Sequence, residues 1–293
     1  MIMINLSKRA PALIIITVIY ILAAVFGVMF YLFLPADWPW QMKLLLADVV
    51  ATVVVFAHSV MYDNASVYDP YWSVQPLVIA VAFTVGGKIS GAGVLLLALL
   101  LVWGVRLTAN WAINFHGFSY EDWRYKMFKE NYKRLYPVIN FFGIHLFPTL
   151  VVYACVLPAV YLIRAEQILN VGSVIFFVIG LIAVLLEFFA DRQMRDFKKS
   201  RVGGLIRKGL WKHSRHPNYL GEITVWWAVA FSAFCVVPDK WYMLFVGALV
   251  NTIMFLTVSI PMAEKKNSVK TGYREYKAET RMLLPFPRRQ KSK

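Results

Sequence analysis

Apolar stretches recur along the chain at residues 12–34, 44–61, 71–86, 91–110, 137–163, 168–190, 218–237 and 241–262, with short polar or basic segments between them. A bilayer core about 30 Å thick is crossed by roughly 20 apolar residues at about 1.5 Å rise per residue, so most of these runs have the length of a span. The pattern predicts an all-α polytopic membrane helix bundle of about seven or eight transmembrane helices, the 71–86 run being the shortest. The first run, Ala12 to Leu34, ends in bulky residues rather than a small-residue cleavage site, and is expected to stay as a retained helix. No internal repeat interrupts the series, and one integral membrane domain over residues 1–293 is the simplest organisation.

Composition agrees with this pattern. Hydrophobic residues make up 59% and charged residues 16% of the chain, with a mean hydropathy of +0.59, far too apolar for an ordinary soluble domain. The net charge of +15 brings in nucleic acid as a candidate partner, but the basic residues flank apolar runs and form no nucleic-acid module. If eight spans alternate from a cytoplasmic amino terminus, only Lys43, Lys88, Arg164 and Lys240 of the 31 Lys and Arg fall outside. That asymmetry follows the positive-inside rule, with both termini cytoplasmic and the long inner loops forming a cap of loops and short helices. Residues Ser119 to Leu135 alternate aromatic and basic side chains, as expected of an amphipathic helix on the inner surface, and the tail from Lys265 to Lys293 suits anionic headgroups.

Several chemistries are disfavoured. Cys155 and Cys235 lie inside apolar runs and read as small buried hydrophobes rather than a disulfide framework. No His, Cys and carboxylate spacing matches a metal site. Gly203-Gly204 has no preceding strand and makes no Rossmann loop, and Ser214 lacks a nucleophile elbow.

The densest polar constellation is Gly209 to Glu222, where Arg215-His216-Pro217-Asn218-Tyr219 opens a helix. Proline fits the first helical turn, and a helix start presents free amides and a positive dipole to an anion such as phosphate. Just upstream, Asp191, Arg195 and Lys198 share one helix face at i, i+4 and i+7. Asn218 and Glu222 share another at i, i+4 within an apolar helix, where an ionisable group is costly. Arg192, Lys199, Arg207 and Lys208 read instead as a snorkelling rim beside lipid headgroups. Asp48, His58, Asn110, His145 and Glu187 lie in or near apolar runs and are expected to face the bundle interior.

Ser214-Arg215-His216-Pro217-Asn218-Tyr219-Leu220-Gly221-Glu222 resembles the carboxy-terminal signature of the steroid 5α-reductase superfamily, in particular its bacterial branch. Tyr68-Asp69-Pro70-Tyr71-Trp72, Trp103-Gly104-Val105-Arg106-Leu107, Glu121-Asp122-Trp123-Arg124-Tyr125, Ala190-Asp191-Arg192-Gln193 and the segment from Glu264 to Pro285 resemble that branch in the same order. The resemblance implies an NADPH-dependent reductase that delivers hydride to the β-carbon of an enone in a lipophilic substrate entering from the bilayer. Residues 187–293 would be its cofactor-binding portion, with Asp191, Arg195, Lys198, Arg215, His216, Asn218, Tyr219, Glu222, Lys265 and Tyr276 toward the nucleotide. The superfamily brackets its substrate carbonyl with a Glu and a Tyr, and the matching positions here are Asp69 and Trp103. Asp69, kept protonated by burial, would then donate to the carbonyl, with Tyr68 or Tyr71 replacing the missing phenol; an Asp cap with interfacial aromatics is the plainer alternative. The resemblance also implies a bacterial inner membrane, with the endoplasmic reticulum as the alternative.

Two other classes stay open. Membrane methyltransferases that bind S-adenosylmethionine resemble the chain at Arg215-His216-Pro217-x-Tyr219-x-Gly221 and in its tail. A non-enzymatic membrane scaffold or lipid-binding protein would use the basic rim and aromatic belts with no cofactor. Oligomeric state is not readable from the pattern.

Overall fold

The structure is a computed structural model that describes residues 8–85, 88–165, 169–200 and 203–286. The final stretch of the basic tail, residues 287–293, lies outside the described residues. Among those described, helix is the regular structure throughout, joined by one isolated bridge between Ser214 and Arg281. In chain order the helices are α1 (Arg9–Phe33), α2 (Trp40–Met61), α3 (Tyr71–Ala82), α4 (Gly91–Asn114), α5 (Trp123–Ile163), α6 (Val171–Lys199), α7 (Leu210–His213), α8 (Pro217–Phe234), α9 (Pro238–Ser268) and α10 (Tyr273–Glu279). The fold is that of a polytopic membrane helix bundle.

Among the described residues six helices, α1, α2, α4, α5, α6 and α9, are long and apolar enough to cross a membrane. Each of the eight apolar runs holds a helix among the described residues, but two of these helices fall short of that standard. Helix α3 has 12 residues, about 18 Å of rise against a core of about 30 Å. Helix α8 has 18 residues and carries Asn218 and Glu222 in its first two turns. Within Ser119–Leu135, where the sequence leads one to expect a surface helix, Trp123–Tyr132 forms a helical segment of its own at the start of α5. Asp122 caps α5 by accepting from the Arg124 amide at 2.9 Å, and Tyr125 turns inward onto Ala65 and Ile144. Lys133, at φ +33°, marks a break before the apolar part begins.

The chain divides into two compact units, one of Met1–Gly86 with Trp103–Leu157, the other of Gly87–Val102 with Pro158–Lys293. In the first unit, α1 and α2 pack through Ile19, Ala23, Ala51 and Val55 onto Val67, Tyr68 and Tyr71. The 3₁₀ turn Ala65–Val67 before α3 is pinned by polar side chains. Asn64 donates to the carbonyls of Phe118 and Tyr120 at 2.9 and 2.8 Å, and Glu121 accepts from the Ala65 amide at 2.9 Å. These bonds fix the segment that carries Tyr68, Asp69 and Tyr71.

In the second unit the central packing is α6 against α8. Gly180, Ala183, Val184, Glu187 and Ala190 form one buried stripe along α6, at the spacing of a single helix face. Opposite them Gly221 lets α8 approach closely: a Cβ there would stand 2.4 Å from Glu187 Cγ and 2.8 Å from the Ala183 carbonyl oxygen. The backbone contact leaves little room to yield, so Gly221→Ala is expected to destabilise the protein by about 1–3 kcal/mol, the usual cost of overpacking. Thermal unfolding in detergent measures it, and an unchanged midpoint would mean that the two helices slide apart freely.

Candidate functional site

Each unit holds a polar cluster. In the second, Arg215 sits just before α8 with its guanidinium buried. Nε donates to Glu264 Oε1 at 2.7 Å, Nη2 pairs with the same oxygen, and Nη1 donates to the Thr280 and Lys277 carbonyls. The Arg215 backbone amide donates to the Arg281 carbonyl at 2.9 Å. Glu264, near the end of α9, also pairs with Lys277 at 3.1 Å and lies 3.5 Å from His216 Nε2. Tyr276 of α10 donates its hydroxyl to the Trp211 carbonyl at 2.6 Å, under the guanidinium of Arg207. These contacts fold the segment from Glu264 to Arg281 back over the start of α8. Arg215 and Tyr276, expected to face a nucleotide, thus hold the protein's own tail.

His216 stacks face to face on Tyr219, their ring centroids 5.3 Å apart, and Tyr219 leans on Phe255. Burial holds the His216 imidazole down at about 4, outweighing the attraction of Glu264. Asn218 points from α8 to α6, where Nδ2 lies 3.4 Å from Asp191 Oδ1. One turn on, Glu222 is buried and accepts from the Trp226 indole at 2.8 Å. Asp191, Asn218 and Glu222 thus form a polar strip at one end of the α6 and α8 packing. Arg195 is half-buried on α6, while Lys198 and Lys265 are exposed.

The candidate catalytic residues lie in the first unit. Asp69 is half-buried and accepts from the Tyr125 hydroxyl at 2.6 Å. Burial pushes its carboxyl up to about 6, against the opposing pull of Arg124. Tyr68 shares a hydrogen with Thr149 at 2.8 Å, and Tyr71 donates to Asp48 Oδ1 at 2.7 Å; the two rings stack at 5.2 Å. Trp103 is buried in α4. Asp48 also accepts from Gln75 Nε2 at 2.6 Å, and Thr52 bridges the Asp48 carbonyl to Thr149. Asp48 and His145 are deeply buried, as their place in apolar runs predicts. The partnership of Tyr125 with Asp69, and of Tyr71 with Asp48, has no signal in spacing, since each pair joins different helices or loops.

The sequence and fold define an integral membrane protein of helical, polytopic type. The chain belongs to the family described as "Protein of unknown function (DUF1295)", whose pattern matches residues 55–280 of the 293. An uncharacterised protein of Schizosaccharomyces pombe is 26% identical over 216 residues, which cover 64% of this chain and 62% of that relative. The match therefore spans less than two thirds of the relative's length. No solved structure matches the chain.

Proposed function

We propose that the protein is a membrane-embedded reductase that uses NADPH to reduce a C=C bond conjugated to a carbonyl in a lipophilic, steroid- or isoprenoid-like substrate. The observation that carries this reading is the polar strip of Asp191, Asn218 and Glu222, where the charged end of α6 meets the start of the otherwise apolar α8. It stands within the segment that resembles the reductase superfamily, and polar groups retained in an apolar helix pair commonly mark a site. The donor set suits a dinucleotide phosphate: Arg195, Lys198 and Lys265 for phosphates, and the Asp191 and Glu222 carboxylates with the Asn218 amide for ribose hydroxyls and the nicotinamide amide.

When bound, NADPH would supply hydride to the β-carbon of the enone. The chain's part is to stabilise the charge that gathers on the carbonyl oxygen and to return a proton to the α-carbon. Asp69 with Tyr125, and Tyr71 held by Asp48, are the acid and phenol pairs in the first unit suited to such work. An Asp69 carboxyl near 6 donates its proton below that pH and not above it.

The test is thermal stability of the detergent-purified chain with NADPH, NADH and S-adenosylmethionine. A ligand specific to the folded state at 100 times its Kd adds about 2.7 kcal/mol of stability. NADPH is expected to raise the midpoint of the wild type and to leave Asn218→Ala unmoved. Stabilisation by S-adenosylmethionine alone would make the protein a methyltransferase instead, and indifference to all three would favour a scaffold.

A further inference from the structure

Two of the motifs that stand apart in the sequence lie side by side in the first unit. Asn64 Nδ2 donates to the Tyr120 carbonyl at 2.8 Å, the Ala65 amide to Glu121 Oε1 at 2.9 Å, the Asp122 amide to Ser66 Oγ at 2.9 Å and the Tyr125 hydroxyl to Asp69 Oδ1 at 2.6 Å. Each of these bonds joins residues 56 apart in sequence, so segments 64–69 and 120–125 run in one register, with Asp69 at the end of the strap they form. A constant offset ties the bonds together, since a slip of one residue would break all of them at once.

Glu121 fastens the strap at two points. It is 7% exposed, and its two oxygens meet different partners. Oε1 takes the Ala65 amide, while Oε2 lies 3.1 Å from Lys129 Nζ. Lys129 in turn donates to the Asp63 carbonyl and carboxylate at 2.7 and 2.9 Å. Asp63 stands at φ +47°, a left-handed backbone that a non-glycine residue keeps only where its surroundings hold it. A carboxylate accepting from a backbone amide makes one of the stronger hydrogen bonds, and here it fixes the first residue of the 3₁₀ turn Ala65–Val67 that leads to Asp69. Filling space calls for no charge at so buried a place, because a buried carboxylate is costly unless paired.

We propose that Glu121 is the positioning residue for Asp69: through the Ala65 amide and the strap it fastens, it holds the Asp69 carboxyl against Tyr125. The proposal rests on the reading of Asp69 as the acid of the reductase, but it is tested without nucleotide or substrate.

The Asp69 carboxyl faces Tyr20 of α1, Tyr68, Tyr120, Asp122, Arg124 and Tyr125, and burial lifts it from the ordinary 3.8 to about 6. Its contribution to stability is therefore lost as pH climbs from 4 to 6, and Asp69→Asn removes that loss. Thermal unfolding of the full chain in detergent is followed over pH 4 to 7 in the wild type and in Glu121→Ala, each with and without Asp69→Asn. Comparison within one background cancels the groups that do not touch Asp69. Asp69→Asn is expected to change the slope of the wild-type profile. In Glu121→Ala, where Asp69 leaves Tyr125 and returns to its ordinary value, the same substitution is expected to leave the slope alone. Glu121→Gln keeps an acceptor for the Ala65 amide and is expected to restore the slope difference. A Glu121 that only adds stability would lower the whole Glu121→Ala profile and leave the slope difference intact, which overturns the proposal, as does the lack of a slope difference in the wild type. Should Glu121→Ala fail to fold, Glu121→Asp decides: it keeps a charge for Lys129 but withdraws the acceptor from the Ala65 amide, and an undiminished slope difference there refutes the positioning role. Failure of the reductase reading, seen as indifference to NADPH, would leave all these slopes as they are.

Discussion

Arg215→Ala releases the carboxy-terminal segment and costs about 3–5 kcal/mol, the scale of breaking a buried ion pair by removing one partner. The Arg215 and Glu264 side chains are 5% and 14% exposed, so water replaces little of what the substitution removes. Glu264 would keep Lys277, a solvent-exposed partner, and the Lys277 and Thr280 carbonyls would lose their guanidinium donor. Arg215→Lys preserves the charge but not the fork that reaches Glu264 and two carbonyls at once, and is expected to fall between the two. Two measurements check this on nucleotide-free protein. Thermal unfolding reports the loss of stability, and brief trypsin treatment reports whether cleavage after Lys265, Lys266 or Lys270 now frees the tail. A variant as stable and as protected as the wild type would show that Arg215 does not latch the tail.

The same residue shows how far the chain can be read without its fold. Arg215 stands before a proline-started helix, and free amides, a dipole and a guanidinium together spell an anion site. The reading of the helix start holds, with Pro217 at the first helical position. The role of the arginine depends on Glu264, 49 residues later in sequence, and no local pattern pairs the two. Hydrophobic periodicity is local and reports which faces are apolar, so the helical runs and the burial of Asp48, His145 and Glu187 were legible. Partnerships between helices are not local. Asp69 is held by Tyr125 and Asp48 by Tyr71, across separations that only the packing determines. The π turn at Ile139–Leu146 is likewise invisible, because a widened turn leaves no mark in the spacing of apolar residues.

Two groups outside the predicted spans oppose each other in their dependence on pH, and separating them is the second test with a large effect. The His216 imidazole drops from 6.5 to about 4 in the folded protein, chiefly through burial. Between those values the unfolded chain binds more protons than the folded one, so stability rises with pH through the window and is lost as pH falls toward 4. At about 1.36 kcal/mol per unit the contribution is on the order of 3 kcal/mol. Asp69 runs the other way: its carboxyl rises from 3.8 to about 6, so the folded chain holds the extra proton and stability falls as pH climbs from 4 to 6. Partial exposure of Asp69 makes its share the smaller one. The wild type is therefore expected to gain only modest stability between pH 4 and 6. Asp69→Asn, which retains an acceptor for Tyr125, should steepen that gain. His216→Phe, which retains a ring against Tyr219, should reverse it, so that the midpoint declines as pH rises. Thermal unfolding across pH 4 to 7 gives all three profiles. Parallel profiles for the wild type and both variants would mean that neither group titrates differently on folding, and would remove the basis for an acid role at Asp69. A steeper Asp69→Asn profile would fix the protonation state of that carboxyl before any substrate is known.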